Sequence, residues 1–473
     1  MRSWALFDWA AQPFHTLILT FVFGPYVTST ALTSETAKRV LGSVGLGFLA
    51  DPAATGDANQ QIVWSVMLGV IGVLTALASP VLGAMADATG PRKPWIAAFS
   101  VLAIVGSIGL WVLPPGAGVA ATWWMILAFA LAFFGFEFAT VFTNAMMPDL
   151  VPRSEIGRLS GNAWALGYVG GLVSLVLVLG LMATQPGETV TLLGLDPILG
   201  LDPANAEGTR AAGPLTGLWY AVFVLPLFLF TPDAPRRLRI AGAIGRGLAE
   251  LRETIRTLPS QRSLFAFLGS SMLYRDALNG LYAFGGIYAA GVLDWPIVRV
   301  GVFGIITALI GAVGAWIGGK LDARFGPRAV VTWAIVALMA VSFTVVTTTP
   351  ETVLFMEVGT TLPAVDLDLP LLGAIGMPDL AFLFCGAVIG AAGGALQAAS
   401  RTLLIDQADP ARMTEAFGLY ALSGKATSFL APLLIAAFTA IFASQRVGVT
   451  PLIGLFAAGL GLLAFVRYRE PRS

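Results

Sequence analysis

Runs of about twenty apolar residues recur along the chain, separated by short polar stretches rich in Gly, Pro, Asp and Arg. A helix rises 1.5 Å per residue, so each run is long enough to cross the hydrocarbon of a bilayer. The pattern predicts twelve spans, at 9–31, 62–86, 95–113, 122–146, 159–183, 215–231, 263–291, 298–319, 329–349, 379–400, 415–441 and 450–467. Three polar connections are long, 32–61, 184–214 and 350–378, and an even span count with a cytoplasmic start places all three outside. The chain reads as an all-α polytopic membrane protein.

Composition and charge sharpen this picture. Of 473 residues, 57% are hydrophobic and 11% charged, against about a quarter charged in soluble domains. Twenty Lys and Arg fall on the proposed inner side and five on the outer side, with only Arg275 and Lys425 within spans. That bias obeys the positive-inside rule and expects both termini in the cytoplasm and the protein in the inner (plasma) membrane. Net charge is zero, which gives no footing for nucleic acid. The lone Cys385 can form neither an internal disulfide nor a cysteine metal cluster. The opening "MRSWALFDWAAQPF" lacks a small-residue cleavage pattern, so the first apolar run is expected to stay as a span.

Two halves are legible. Residues 232–262 are rich in arginine, and Ile244, Leu248, Leu251, Ile255 and Leu258 recur there at helical spacing with Arg246, Arg252 and Arg256 between them. This predicts an amphipathic helix on the inner surface, joining six-helix halves at 1–231 and 263–473. "GAMADATGPRK" at 83–93 is matched by "GGKLDARFGPR" at 318–328, with Gly83 to Gly318 and Asp87 to Asp322 both offset by 235. "PDLVPRSEIGRLSG" at 148–161 is echoed by "IDQADPARMTEAFG" at 405–418, now offset by 257 because the 350–378 loop is the longer one. Parallel repeats of this kind suit a transporter that rocks two halves about a shared site.

The repeated loops resemble the signature loop of the major facilitator superfamily. The second copy carries Gly318, Asp322, Arg324, Gly326 and Arg328; the first carries Gly83, Asp87, Gly90, Arg92 and Lys93, with Ala88 and Thr89 where a basic residue is common. "SWALFDWAAQPF" at 3–14, "FTNAMMPDLVP" at 142–152, "SGNAWALGYVGG" at 160–171 and "FLGSSMLYRDALNGLYAFGGIYAAGVL" at 267–293 are similar to the branch related to the vacuolar amino-acid effluxers of autophagy. This chain departs from that branch at Ala11, where Asn is frequent, and at Arg275-Asp276-Ala277, where Asn-Asp-Gly is frequent. The resemblance implies the major facilitator fold of twelve helices in two pseudo-symmetric halves. It implies that helices 1, 4, 7 and 10 line a cavity and that the third helix of each triplet faces lipid. It also implies that Asp87 docks at the start of helix 11, around Glu415 to Gly418, that Asp322 docks near helix 5, and that these contacts close the inner gate.

Ionisable residues inside spans are costly and mark pathways by default. They are His15, Glu137, Arg275, Asp276 and Lys425, with Asp8 at the edge of helix 1. Helical spacing groups Asp8, Gln12 and His15 on one face, Glu137, Thr140 and Asn144 on another, and Arg275, Asn279 and Tyr282 on a third. Two readings stand for these stripes: a substrate and proton pathway, or hydrogen-bonded glue between helices. Neighbouring residues on a helix point about 100° apart, so Arg275 and Asp276 need partners other than each other. The expected pairs are Arg275 with Glu137 and Asp276 with Lys425. His15, Trp164 and Tyr168 are open to a packing role as well.

Rival functions are weaker. "GLYALSGKAT" at 418–427 misses the phosphate-loop spacing and has Ala426 where a magnesium-binding hydroxyl belongs. With one histidine and no HExxH or GxSxG, an embedded enzyme has little to work with. The sequence therefore predicts a secondary transporter, proton-linked and monomeric, without cofactor or metal. Its expected partners are a small-molecule solute, protons and the lipid bilayer, and its expected solute is small and zwitterionic, such as an amino acid. A sugar, peptide or drug-like solute, or a non-transporting sensor, is the alternative.

Overall fold

The structure, a computed structural model, describes residues 2–50, 58–184, 188–235, 240–295, 297–363, 365, 367–369, 373–442 and 444–467. Its rods are α1 (Arg2–Pro13, continued by π-helical turns to Ala31), α2 (Ala58–Thr89), α3 (Lys93–Gly109), α4 (Val119–Ala145), α5 (Arg153–Leu181) and α6 (Ala212–Phe230). After them come α7 (Arg262–Val292), α8 (Ile297–Phe325), α9 (Pro327–Val346), α10 (Met377–Gln407), α11 (Met413–Ala426, resumed at Leu430–Phe442) and α12 (Pro451–Leu463). Two small antiparallel hairpins, β1 (Thr352–Val353) with β2 (Met356–Glu357) and β3 (Leu367–Leu369) with β4 (Gly373–Ile375), ornament the loop before α10. Among the described residues ten helices are long and apolar enough to cross a membrane. The other two rods are α1, interrupted by π turns, and α7, whose apolar run is diluted by Arg275, Asp276, Asn279 and several glycines.

The chain forms two compact units that interleave along the sequence. One comprises Met1–Ser79, Thr89–Met146 and Val169–Leu238; the other comprises Pro80–Ala88, Met147–Tyr168 and Arg239–Ser473. The last turns of α2 and the first turns of α5 thus belong with α7 to α12.

Each unit packs backbone to backbone through small residues, as expected where lipid supplies no hydrophobic drive between helices. In the first, Gly135 of α4 lies against the main chain of Ala103 in α3. Phe14, Phe129, Phe133 and Phe136 fill the space beside it, with the Phe14 and Phe136 rings 4.5 Å apart. In the second, Gly314 of α8 lies against the main chain of Ala391 in α10.

Several boundaries differ from the sequence expectation: α5 starts at Arg153 rather than 159, and α8 runs on to Phe325 rather than 319. The tenth helix runs on to Gln407, so Arg401, read as a loop residue, sits within it at 4% exposure. The eleventh helix is broken at Thr427–Phe429. Pro432 explains the break: it has no N–H for the Ser428 carbonyl, and its ring disfavours continuous helix before it. The linker helix, Ile240–Thr257, is present, with Arg246, Arg252 and Arg256 exposed. It docks on the end of α2, where Gly247 lies against the main chain of Ala84 and Met85. Leu251 is buried and Ile255 exposed, while the Ile244 and Leu248 side chains, with Arg236, Arg237, Arg239, Arg469 and Arg472, lie outside the described residues.

A proline and several helix ends orphan carbonyls elsewhere, and long side chains answer them. Pro13 cannot donate to the Trp9 carbonyl, which instead accepts from Trp219 Nε1 at 3.1 Å, the two indoles stacking at 5.4 Å. Helix ends leave other carbonyls bare: the Trp111 carbonyl, in the turn that ends α3, is held by Arg210 at 2.7 and 2.9 Å. The Phe228 carbonyl, in the last turn of α6, is held by Lys93 Nζ at 2.9 Å, and the Val346 carbonyl, at the end of α9, by Arg446 at 3.1 Å. A carbonyl shut away from water without a partner costs free energy, so these contacts stabilise the fold.

This account predicts a coupled pair. Trp219→Phe keeps the stack but strips the donor, and should cost about 1–3 kcal/mol of thermal stability in purified protein. Pro13→Ala restores the internal donor, so the same Trp219→Phe change should then cost less; equal losses in both backgrounds would refute the compensation.

Candidate functional site

The two signature loops fold alike, and for the same reason. Gly90 and Gly326 hold positive φ, 96° and 81°, at the turns that end α2 and α8. Just before each turn a buried aspartate meets a neighbouring helix. Asp87, 5% exposed, accepts from the N–H groups of Thr414 at 3.1 Å and Glu415 at 2.8 Å, the second and third residues of α11. The amides of a helix's first turn point out of it, and the helix dipole favours a carboxylate there. Gly83, one turn earlier, permits the approach, since a Cβ would come within 2.5 Å of the Thr414 carbonyl.

Asp322 is set against α5, but on different terms. Its carboxylate lies against Gly157, where a Cβ would come within 2.5 Å of it. Gly157 is the repeat counterpart of Thr414, yet α5 begins at Arg153, four residues before it, so its amide is already spent inside the helix. The Thr402 hydroxyl stands near Asp322 but turns to the Ala398 carbonyl at 3.5 Å, and Asp322 Oδ2 has no partner among the described residues. Asp406 stands nearby, paired with Arg153 at 2.6 Å. Arg401 completes this corner: it donates to Ser160 Oγ at 3.1 Å and to the Ser160 carbonyl at 2.8 Å, with its guanidinium 5.3 Å from the Trp164 ring.

The basic residues of the loops do other work. Asp233 caps the start of α3, accepting from Arg92 N at 2.9 Å and Lys93 N at 3.0 Å. Arg328 donates to the Ala464 carbonyl at 3.2 Å, past the end of α12. Arg324 is exposed. Gly318 lies close to Ala395 of α10.

In the middle of α7, Arg275 and Asp276 serve the two pieces of α11. The Arg275 guanidinium rests on the Tyr420 ring at 4.2 Å, donates to the Tyr420 carbonyl at 3.0 Å, and occupies the space where a Cβ of Gly424 would stand. It therefore lies against the last turn of Met413–Ala426, where a cation is favoured. Asp276, 1% exposed, accepts from Ala431 N at 2.9 Å, in the first turn of Leu430–Phe442, where an anion is favoured. Adjacent opposite charges thus answer opposite helix ends. The pairing expected from sequence takes a different form: Asp276 takes a backbone amide rather than Lys425, and Arg275 takes Tyr420. Asp276 Oδ1 and the Thr427 hydroxyl at the break have no partner among the described residues.

The remaining polar residues are distributed as follows. Asn279 and Tyr282 are exposed on the Arg275 face of α7, and the Tyr282 hydroxyl stands near that of Tyr168 on α5 and against Gly393 on α10. Glu137 and Thr140 are half-buried on one face of α4, with Thr140 returning its hydroxyl to the Phe136 carbonyl at 2.7 Å and Asn144 buried. Asp8, Gln12 and His15 are half-buried on the first rod, the His15 ring edge-on to Phe14 at 5.6 Å. Lys425 is half-buried in the last turn before the α11 break. Tyr420, Gly424 and Arg401 were not singled out by sequence. Gly424, beside Lys425 in a span and followed by Pro432, was the available signal for the first two.

Comparison with known proteins agrees with this architecture. Residues 1–472 match the family described as "Vacuole effluxer Atg22 like". The chain is 22% identical over 467 residues to YxiO, described as an uncharacterized MFS-type transporter of Bacillus subtilis (strain 168), covering 98% of this chain and 94% of that protein. A local match, 29% identical over 126 residues and a quarter of each chain, links it to the dipeptide and tripeptide permease A of Klebsiella pneumoniae (strain 342). In fold it is similar to the human organic anion transporter MFSD10, with a TM-score of 0.63, 14% identity and 98% of both chains covered. It is likewise similar to the proton:xylose symporter XylE, with a TM-score of 0.62, 11% identity, and 98% and 95% covered.

The unequal terms of the two loop aspartates are testable by thermal unfolding. Asp87→Ala should cost about 1–2 kcal/mol, the usual loss of a helix cap. Asp322→Asn should be neutral or stabilising, because it removes a charge that faces Asp406 and takes no backbone amide with it.

Proposed function

The chain belongs to the vacuole effluxer Atg22-like family of major facilitator transporters, and from that premise we propose that it is a proton-linked secondary transporter of a small polar or zwitterionic solute such as an amino acid. The observation that carries this reading is Asp276. A carboxylate 1% exposed within a span, with one oxygen on a backbone amide and the other unpartnered among the described residues, can take up a proton with little rearrangement. Arg275, Asn279 and Tyr282 beside it, and Glu137, Asn144, Gln12, His15, Asp8 and Lys425 on other helices, are the groups proposed to line the solute and proton pathway.

Alternating access would come from two six-helix halves, 1–231 and 263–473, joined by the 232–262 linker. The Asp87 and Asp322 contacts would latch the cytoplasmic side. The protein would work as a monomer in the inner membrane with both termini in the cytoplasm, as its Lys and Arg bias supports. A second reading, a short peptide as solute, is supported by the local likeness to the dipeptide and tripeptide permease.

Proteoliposomes with an imposed pH gradient test the first reading. Flux from an amino-acid panel should depend on the gradient, and Asp276→Asn should reduce it at least about tenfold and flatten its pH dependence. Unaltered pH-dependent flux in both Asp276→Asn and Glu137→Gln would overturn proton coupling through these groups; flux of dipeptides alone would favour the second reading.

A further inference from the structure

Arg275 carries more donor capacity than the fold consumes. A guanidinium has five N–H donors in a planar fork. Here one nitrogen donates to the Tyr420 carbonyl, and no carboxylate pairs with the group among the described residues. Its other nitrogens are not among the sealed, partnerless atoms of the structure, so they remain accessible. The side chain is half-buried, about 20 Å along α7 from its first residue. At that depth an open guanidinium edge has to meet water or a solute, since hydrocarbon is prohibitive.

Three features make this edge a built surface. The Tyr420 ring lies 4.2 Å from the guanidinium and fixes its plane. Gly424 leaves the space that the group fills, so it cannot swing without leaving that turn of α11. Asn279, four residues on, shares the face and is exposed; Tyr282, seven on, shares it and is 39% exposed, with its hydroxyl turned in against Gly393. Asp276 does not neutralise the site, because it points to Ala431 and is sealed at 1% exposure.

We propose that Arg275, with Asn279 and Tyr282, forms a recognition subsite for the carboxylate of the transported solute. The inference rests on the transporter reading and names the group that the solute must present. Guanidinium and carboxylate match as two parallel charge-assisted hydrogen bonds, which a neutral amide cannot reproduce. Part of the Arg275 engagement with Tyr420 is then exchanged for the solute, so binding loosens the hold on the first piece of α11.

The test uses the purified full-length protein and a transport-independent readout. Thermal stabilisation is measured with the common amino acids and with two- to six-carbon monocarboxylates, each beside its primary amide. Stabilisation by at least one carboxylate and not by its amide is expected. Arg275→Gln should lose roughly tenfold to a hundredfold in affinity for it, and Arg275→Lys should keep part. Because Arg275 also braces α11, Asn279→Ala provides a gentler arm and should weaken binding several-fold with an unaltered melting temperature in the absence of solute. Equal stabilisation by the amides, none by any carboxylate, or full affinity in Arg275→Gln would overturn the proposal. Proteoliposome flux is scored separately. Flux without carboxylate-dependent stabilisation removes the subsite and leaves the transporter; stabilisation without flux does the reverse.

Discussion

A backbone amide or carbonyl without a partner is affordable in water and ruinous in hydrocarbon, and this fold is organised around that constraint. Helix ends and prolines create the unpartnered groups; polar side chains from elsewhere satisfy them. Asp87 answers the start of α11, Asp233 the start of α3 and Asp276 the resumption of α11. Arg210, Lys93 and Arg446 answer carbonyls left bare where helices end. With charged residues only 11% of the chain, many of them are committed to helix termini, where the dipole also favours their sign.

That economy bears on mechanism. A side chain that holds another helix by its end can release it as a unit, without unravelling the helix. The α11 break gives two such handles in one place, with Arg275 on the first piece and Asp276 on the second. The loop aspartates, by contrast, are not equivalent. Asp87 is held by two amides, whereas the Asp322 carboxylate lies against Gly157 with Asp406 nearby and one oxygen unpartnered among the described residues. Under the proposed gating scheme the Asp322 contact is the easier of the two to open.

The spans, the repeat and the family were legible because they depend on local composition and fixed spacing. Asp87 could be placed near α11 through the resemblance of its loop. Partners of midspan charges were less accessible to sequence reasoning, which matches charge with charge. Asp276 took an amide that became available only because Pro432 broke α11, and Arg275 took a ring and a carbonyl. Arg401 was misplaced for a related reason: a helix that outlasts its apolar run hides a buried arginine, and hydropathy alone stops short of it. The difference between the loop aspartates depends on where α5 starts, which repeat alignment does not reveal.

The guanidinium of Arg275 lies where Gly424 has no side chain, and this ties two distant positions into one heritable unit. A long cation at the first is compatible only with hydrogen at the second; a shorter residue at 275 would free 424 to grow. Among diverging descendants of such a chain, these two sites should change together, so that the pair marks which lineages kept the arginine braced in that turn and which repacked it.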